Sequence, residues 1–351
     1  MRSSMLDESV REELRGTRIF LTGGTGFFGT ALLESMAELD ASVVVLSRDP
    51  ESFRARHPQL AAHPAIRFHT GDVKTFDFPP GAFDYVIHAA ATSARETFEN
   101  ADILSKFDTV SGGTRRVLEL AAACGARKFL YTSSGVVYGR QPAEMTHIPE
   151  EYGGAPATTD TATLPAWGTS KRAAEFLCAC YARKYGFEVK IARCFSFAGP
   201  GLPLDIHYAI GNFIRDGMRG GPIQILGDGT ARRSYLYITD LVDWLWTILV
   251  KGVSLRPYNV GSEDDVSIAE AARLVAESLA PPVEVRIARS PVPGAAPDRY
   301  VPGTARARTE LGLRETVPLP ETIRRMIAHC RLQTGIRSAS ENPAPYGTGR
   351  S

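Results

Sequence analysis

Cysteine is scarce: five residues in a chain of 351, odd in number and scattered, which argues against a disulfide framework. Cys178 and Cys180 flank a single residue in a helical pattern, a poor spacing for a metal, and read as small packing residues; no metal is expected. No apolar run approaches the roughly 20 residues of a membrane span, so no membrane partner is expected. The opening stretch, Met1 to Glu8, is polar and acidic and does not read as a signal peptide. Charge of one sign is also missing. Lys and Arg total 40 against 39 Asp and Glu, a net charge of +1 that gives no reason to expect nucleic acid. There is no internal repeat. What remains is ordinary for a globular protein, 44% hydrophobic and 23% charged, and long enough for one large α/β domain or one and a half. A cytoplasmic protein of enzyme size is the expectation.

Glycine is well supplied, and one cluster of it organises the chain. Arg18-Ile19-Phe20-Leu21-Thr22 is an apolar strand pattern that runs into Gly23-Gly24-Thr25-Gly26-Phe27-Phe28-Gly29, with a helix pattern following at once. Gly23, Gly26 and Gly29 stand at G-x-x-G-x-x-G spacing. Glycine permits the tight turn and lets a pyrophosphate approach the backbone, and the first N–H groups of a helix attract an anion. Gly29 would let the helix pack closely on the strand. The bland alternative is a βα turn without a ligand. A strand before and a helix after favour dinucleotide binding through Gly23, Thr25, Gly26, Phe27, Phe28 and Gly29.

Alternation continues. Val43-Val44-Val45-Leu46 is a buried parallel strand ending in Ser47-Arg48-Asp49. An acid at the end of this second strand binds a ribose 2′-hydroxyl, whereas arginine tolerates a 2′-phosphate. With Ser47 and Arg48 there, NADP is favoured, and NAD is the alternative because Asp49 can turn inward. Gly71-Asp72-Val73 ends the third strand with an acid placed to accept from an adenine amino group. The fourth strand ends in His88-Ala89-Ala90-Ala91, where Ala89, Ala90 and Ala91 let a cofactor lie close and His88 reads as structural. A helix over about 103–124, a fifth strand Lys128 to Ser134, a loop over 140–165, a helix over Trp167 to Tyr185 and a strand at Val189 to Arg193 follow. Strands and helices in strict alternation predict an α/β fold, a doubly wound parallel sheet of Rossmann type with right-handed crossovers. Beyond Gly199-Pro200-Gly201 the punctuation changes to short helices and brief strands. The expected organisation is a polar helix over 1–16, a cofactor-binding domain over 17–198 to which later strands return, a smaller α/β substrate lobe over 199–334, and a flexible tail over 335–351.

Taken together, the pieces resemble the extended short-chain dehydrogenase/reductase family, in particular its nucleotide-sugar epimerases and dehydratases. Beyond the glycine loop, the resemblance is carried by Gly71-Asp72-Val73, His88 to Ala91, Thr132-Ser133-Ser134-Gly135-Val136-Val137-Tyr138-Gly139, Trp167-Gly168-Thr169-Ser170-Lys171, Arg193-Cys194-Phe195 and Arg233-Ser234-Tyr235-Leu236-Tyr237. It spans about residues 17–330. It implies a carbohydrate-biosynthesis oxidoreductase that exchanges hydride between a sugar carbon and a nicotinamide ring, and a homodimer paired through the helices at about 103–124 and 167–186. By position, Ser134 would be the substrate-orienting hydroxyl and Lys171 the lysine that holds the nicotinamide ribose. Arg233 and Arg299 would bind a substrate diphosphate, where a guanidinium fork suits phosphate oxygens. Ser196 stands where these enzymes carry an Asn against sugar or phosphate.

One departure is decisive. Trp167 occupies the first place of the family's Y-x-x-x-K, and an indole N–H can donate a hydrogen bond but cannot ionise in this range. General acid–base work contributes about 100- to 10,000-fold in rate. Tyr138, Ser134, Lys171 and His207 are the candidates to move the proton instead. Gly135-Val136 stand where dehydratase relatives carry an Asp-Glu pair, which disfavours dehydration by that route, and Val110 replaces an Asn. Three readings result: an epimerase or ketoreductase acting on a nucleotide sugar, a non-catalytic NADP(H)-binding or sensing protein, and a reductase of a sugar or cyclitol without the nucleotide.

Overall fold

Strands β1 (Arg18–Thr22), β2 (Ser42–Ser47), β3 (Ile66–Thr70), β4 (Tyr85–His88), β5 (Lys128–Ser134) and β6 (Glu188–Cys194) form where the apolar runs predict them. The protein is seen in a computed structural model that describes residues 6–91, 102–206 and 208–340, with side chains described as far as 333. The later strands are β7 (Phe197–Ala198), β8 (Ile223–Ile225), β9 (Arg232–Ser234), β10 (Leu236–Tyr237), β11 (Pro257–Val260), β12 (Asp265–Ser267), β13 (Val285–Ile287) and β14 (Arg299–Tyr300). Seven strands make one sheet in the order β11-β6-β5-β4-β1-β2-β3, with every neighbouring pair parallel. The chain works outward from β1 to β3, then returns to the other side of β1 with β4. The order therefore reverses between β1 and β4, the place where such sheets open a crevice beyond their carboxyl ends.

Burial explains the continuous apolar runs, because both faces of the sheet are covered. Ile19, Leu21, Val43, Val45 and Ile87 point into one core beneath the helices Phe27–Met36 and Ile238–Lys251. Their chain neighbours Phe20, Val44, Leu46 and Val86 point into the other, beneath the paired helices Ile103–Ala123 and Thr163–Tyr185. The second of these helices begins one turn before the expected start at Trp167. The amino-terminal helix, Glu8–Leu14, is less polar than its composition suggests, since Val10 and Leu14 are fully buried in the first core.

A third core joins the helices Ala209–Met218, Ile268–Glu277 and Leu319–Ser340 to the β8–β13 pair. Within 199–334, however, the helix Ile238–Lys251 and strand β11 belong to the main sheet and its covering layer, and Trp246 donates from Nε1 to Ser35 Oγ at 3.1 Å. The tail expected from residue 335 continues as helix to Ser340, and residues 341–351 lie outside the described residues. Cys178 packs in the core as expected, whereas Cys180 is exposed. A small sheet, β12-β9-β14, brings residues around 232, 265 and 299 together near the end of β5.

Candidate cofactor and active site

At the end of β1 the chain turns through Gly23 with φ at +74°, a conformation open to glycine. A Cβ on Gly23 would lie 2.6 Å from the Ala89 carbonyl carbon and oxygen, so this loop rests on the end of β4. A Cβ on Gly29 would lie 2.2 Å from the Gly23 carbonyl oxygen, which explains how the helix sits so close to the strand. Gly26 is the N-cap; an added Cβ there would meet Gly23 O at 3.4 Å. Among the described residues no side chain caps this helix, so its first N–H groups remain available to an external acceptor. Phe28 is anchored edge-on against Phe197 at 4.9 Å, and Phe27 packs between two cores, which fixes the backbone amides between them. Thr25 sits half-buried in the turn. An uncapped start, a glycine loop and a bare approach at Gly26 fit the pyrophosphate of a dinucleotide.

The ends of the neighbouring parallel strands lie along the same edge of the sheet. Ser47 is buried, and its Oγ accepts from the Asp49 N–H at 3.2 Å. Asp49 in turn accepts from the Ser52 N–H at 2.9 Å and caps the helix Pro50–Arg56. It is thereby engaged away from an inward turn, and Arg48 is exposed beside it. Asp72 is half-buried and accepts from the Lys74 N–H at 2.9 Å, while Val73 packs against Gly113, where a Cβ would come within 2.9 Å. Ala89, Ala90 and Ala91 lie half-buried at the end of β4, and the Ala90 N–H donates to Thr22 Oγ1 at 3.2 Å.

His88 is structural. Its Nδ1 lies 2.7 Å from Thr22 Oγ1 and its Nε2 3.0 Å from Thr114 Oγ1, whose own hydroxyl donates to the Val110 carbonyl at 2.6 Å. That chain of donors puts the ring proton on Nε2. Burial holds the imidazole neutral, with its pKa pushed down to about 3.

Lys171 reaches β5 from the helix Thr163–Tyr185. Its Nζ donates to the Thr132 carbonyl at 2.8 Å and stands 4.8 Å from the Tyr131 ring centroid. Burial lowers its pKa to about 8. Trp167, one turn earlier, is half-buried against the second core, and its Nε1–H is buried without a hydrogen-bond partner among the described residues. A buried orphan donor costs about 1–3 kcal/mol unless something accepts from it, so the indole N–H fits an acceptor on a bound molecule. Ser134 ends β5, two residues beyond the Lys171 contact.

Tyr138 does not belong with them. Its hydroxyl accepts from Arg193 Nη1 at 2.9 Å and donates to Asn259 Oδ1 at 2.8 Å; Arg193 is held in turn by both carboxylate oxygens of Glu175. Burial pushes the phenol up to about 12. With its lone pair and proton both spent on buried partners, Tyr138 ties β5 to β6 and β11 and is withdrawn as a proton carrier. His207 lies outside the described residues. The residue that sequence reasoning missed is Tyr300, whose Oη lies 3.4 Å from Ser134 Oγ. It arrives on β14, 166 positions away in the chain, and no local spacing announces it.

The phosphate-side residues divide. Arg299 bonds Asp265 from Nη1 at 3.1 Å, while its Nε–H is buried without a partner among the described residues. Arg233 is paired with Asp298 at 2.8 Å. Ser196 is half-buried between β6 and β10, its carbonyl accepting from the Leu236 N–H at 3.1 Å. An open cavity of about 690 Å³ is lined by Arg299 with Arg232, Arg273 and Arg289, and also by Asp228, Thr230 and Ser267. Arg233 is not part of that lining, which brings a wider arginine cluster around Arg299. Its four members come from four places in the chain, strand β9, the helix Ile268–Glu277, the stretch after β13 and strand β14, which is why the sequence does not display it.

A sequence profile for the NAD dependent epimerase/dehydratase family matches residues 19–261. UDP-glucuronic acid decarboxylase 5 of Arabidopsis thaliana is 29% identical over 327 residues, covering 91% of this chain and 91% of the relative. Among solved structures, an epimerase from Methanothermobacter thermautotrophicus superposes with a TM-score of 0.79 at 25% identity, covering 97% of this chain and 99% of the other. UDP-glucuronic acid 4-epimerase from Bacillus cereus, solved with UDP-glucuronic acid and NAD, gives a TM-score of 0.75 at 22% identity over 90% of this chain and 99% of its own.

Proposed function

The chain belongs to the NAD dependent epimerase/dehydratase family, and on that premise we propose that it is an NAD(P)-dependent oxidoreductase of nucleotide-linked keto sugars. The observation that carries this reading is the glycine loop and uncapped helix start at Gly26, set where the strand order reverses. A bound nicotinamide dinucleotide would supply hydride exchange at a sugar carbon. The loop residues Gly23 to Gly29, with Ser47, Arg48, Asp72, Val73 and Ala89 to Ala91, would hold its pyrophosphate and adenosine. Ser134 would bond the reacting sugar oxygen. Lys171 has one N–H on Thr132 and two more to offer to a ribose. The arginine cluster around Arg299, with Ser196 and Arg233 nearby in sequence motifs of the family, would receive the diphosphate.

The test is hydride exchange, followed through the near-ultraviolet absorbance of reduced nicotinamide, with NADPH or NADH and a panel of UDP- and dTDP-linked sugars and 4-keto sugars. Turnover with at least one is expected. Trp167 favours a second reading, a protein that binds NADP(H) without turnover, and tight binding with no exchange across the panel would establish it instead. The cap role of Asp49 and the exposure of Arg48 support NADP over NAD. Arg48→Ala is expected to raise the NADPH dissociation constant on the order of 10-fold and to leave NADH within a factor of two, as loss of one charge-assisted phosphate contact requires. An equal effect on both coenzymes would assign NAD.

Exposed Leu104, Phe107, Leu164 and Phe176 on the two paired helices support a homodimer through that face. Sedimentation should give a dimer that the double variant Leu104→Glu, Phe176→Glu converts to monomer. A wild type that sediments as monomer would refute it. No helix among the described residues is long and apolar enough to cross a membrane.

A further inference from the structure

Gly135 follows Ser134 and opens the 3-10 turn Gly135–Tyr138. A Cβ at this position would come 2.8 Å from Tyr300 Oη and 2.7 Å from the Phe195 ring, so a side chain here would displace the tyrosine. The bare position thus makes room for a phenol beside Ser134, where Tyr300 Oη and Ser134 Oγ stand 3.4 Å apart. Two features fix the ring. It lies against Phe195 with centroids 4.8 Å apart, and β14 pairs in parallel with β9 so that Tyr300 registers with Arg233. The charge of Arg233 and the Gly135 amide both favour a phenolate at Tyr300 once its proton has left.

Of the other candidates near Ser134, Lys171 is ionisable but donates to the Thr132 carbonyl and not to Ser134. Trp167 cannot ionise, and Tyr138 is closed into the Arg193–Asn259 network. We infer that Tyr300 is the proton donor of the reaction, acting through the Ser134 hydroxyl in place of the ionisable group that position 167 lacks. This rests on the hydride-transfer reading and names the proton path within that same site.

The balance is that of a ketone reduction. A bound NAD(P)H would supply the hydride to the keto carbon, leaving the carbonyl π pair on oxygen. That oxygen takes the proton of Ser134 Oγ, Ser134 takes the proton of Tyr300 Oη, and the phenolate left beside Arg233 is reprotonated by water. Burial, opposed by the Ser134 hydroxyl and by Arg233, raises the Tyr300 phenol above its ordinary range, with Cys194 of β6 adding to the rise. A phenol that stays protonated at neutral pH gives a proton to a new alkoxide more readily than it takes one from an alcohol.

The experiment compares wild type, Tyr300→Phe, Ser134→Ala and the double variant. With the substrate that wild type turns over, Y300F should lower kcat about 100-fold or more while keeping KM within about threefold. The double variant should be no slower than the worse single one, since both residues serve one path. Independently of turnover, adding UDP-glucuronic acid at pH 7 should perturb the neutral Tyr300 phenol, read as a tyrosine ultraviolet difference band that wild type shows and Y300F lacks. A Y300F enzyme with unchanged kcat, additive losses in the double variant, or the same difference band in wild type and Y300F overturns the inference. Should wild type transfer no hydride at all, the functional reading fails by itself, and the difference spectrum alone decides whether Tyr300 faces the ligand.

Discussion

A Gly29→Ala variant is expected to lose at least about 100-fold in affinity for the nicotinamide coenzyme and to melt well below wild type. The reason is steric and lies in the backbone. The new methyl would stand 2.2 Å from the Gly23 carbonyl oxygen, 2.3 Å from Gly24 Cα and 2.5 Å from the Gly24 carbonyl carbon, none of which can rotate aside. The helix Phe27–Met36 must lift or the glycine loop must flatten, and either movement pulls the uncapped N–H groups away from an anion. Overpacking of this kind costs about 1–3 kcal/mol, and contact with three backbone atoms of Gly23 and Gly24 puts the cost at the upper end. Gly112 supplies the control. It is exposed on the helix Ile103–Ala123 with nothing within 4 Å of a new Cβ, so Gly112→Ala should leave binding alone and gain up to about 1 kcal/mol from helix propensity. Thermal melts and coenzyme fluorescence titrations read both. G29A binding within threefold of wild type would remove the loop from the cofactor site.

Replacing Lys171 by Met is expected to move activity and stability in opposite directions. Its side chain is buried, and burial takes its pKa from 10.5 to about 8, so the folded protein carries a penalty for every proton that lysine keeps. The sign follows from proton uptake. Between about 8 and 10.5 the unfolded chain binds the proton and the folded chain does not, so stability rises with pH through that window. The gain is complete above 10.5 and lost as pH falls through about 8. At neutral pH the penalty is present in full, roughly 3 kcal/mol, partly offset by the bond to Thr132 and the contact with Tyr131. Lys171→Met keeps the stem, removes the charge and should stabilise the fold at pH 7 while flattening the alkaline rise. Turnover should fall about 100-fold or more, because no cation remains to hold the ribose or bias the proton. Denaturant melts at pH 7 and pH 10 measure the first effect and initial rates the second. A variant that is both less stable and fully active would contradict the assigned role.

The extent to which this architecture can be read from sequence varies with distance along the chain. Strands β1, β2 and β4 are legible because each is buried on both faces and therefore largely apolar, the more polar β3, β5 and β6 because they fall into the same alternation, and the glycine loop announces its own turn. Gly29 is legible for the same local reason. Asp49 is not: its choice between a ribose and the helix Pro50–Arg56 depends on whether Ser52 offers an amide, a matter of geometry. Tyr138 looks like a candidate until Arg193 and Asn259, from two other strands, claim its hydroxyl. Tyr300 and the arginines around the open cavity are invisible for the complementary reason. A three-stranded sheet assembled from segments around 232, 265 and 299 places Tyr300, Arg232 and Arg299, while Arg273 comes from the helix Ile268–Glu277 and Arg289 from beyond β13, and pairing between short distant strands leaves no periodic trace. Trp167 is conspicuous in the sequence, but only the structure shows its N–H buried and unanswered.

Crystals of the protein grown with NADP and a nucleotide sugar test the central claim most directly. The coenzyme pyrophosphate is expected against the amides that follow Gly26, and the nicotinamide ring within reach of Ser134, Trp167 and Lys171. A coenzyme bound elsewhere, or a ring that stands apart from Ser134 and Lys171, would contradict it.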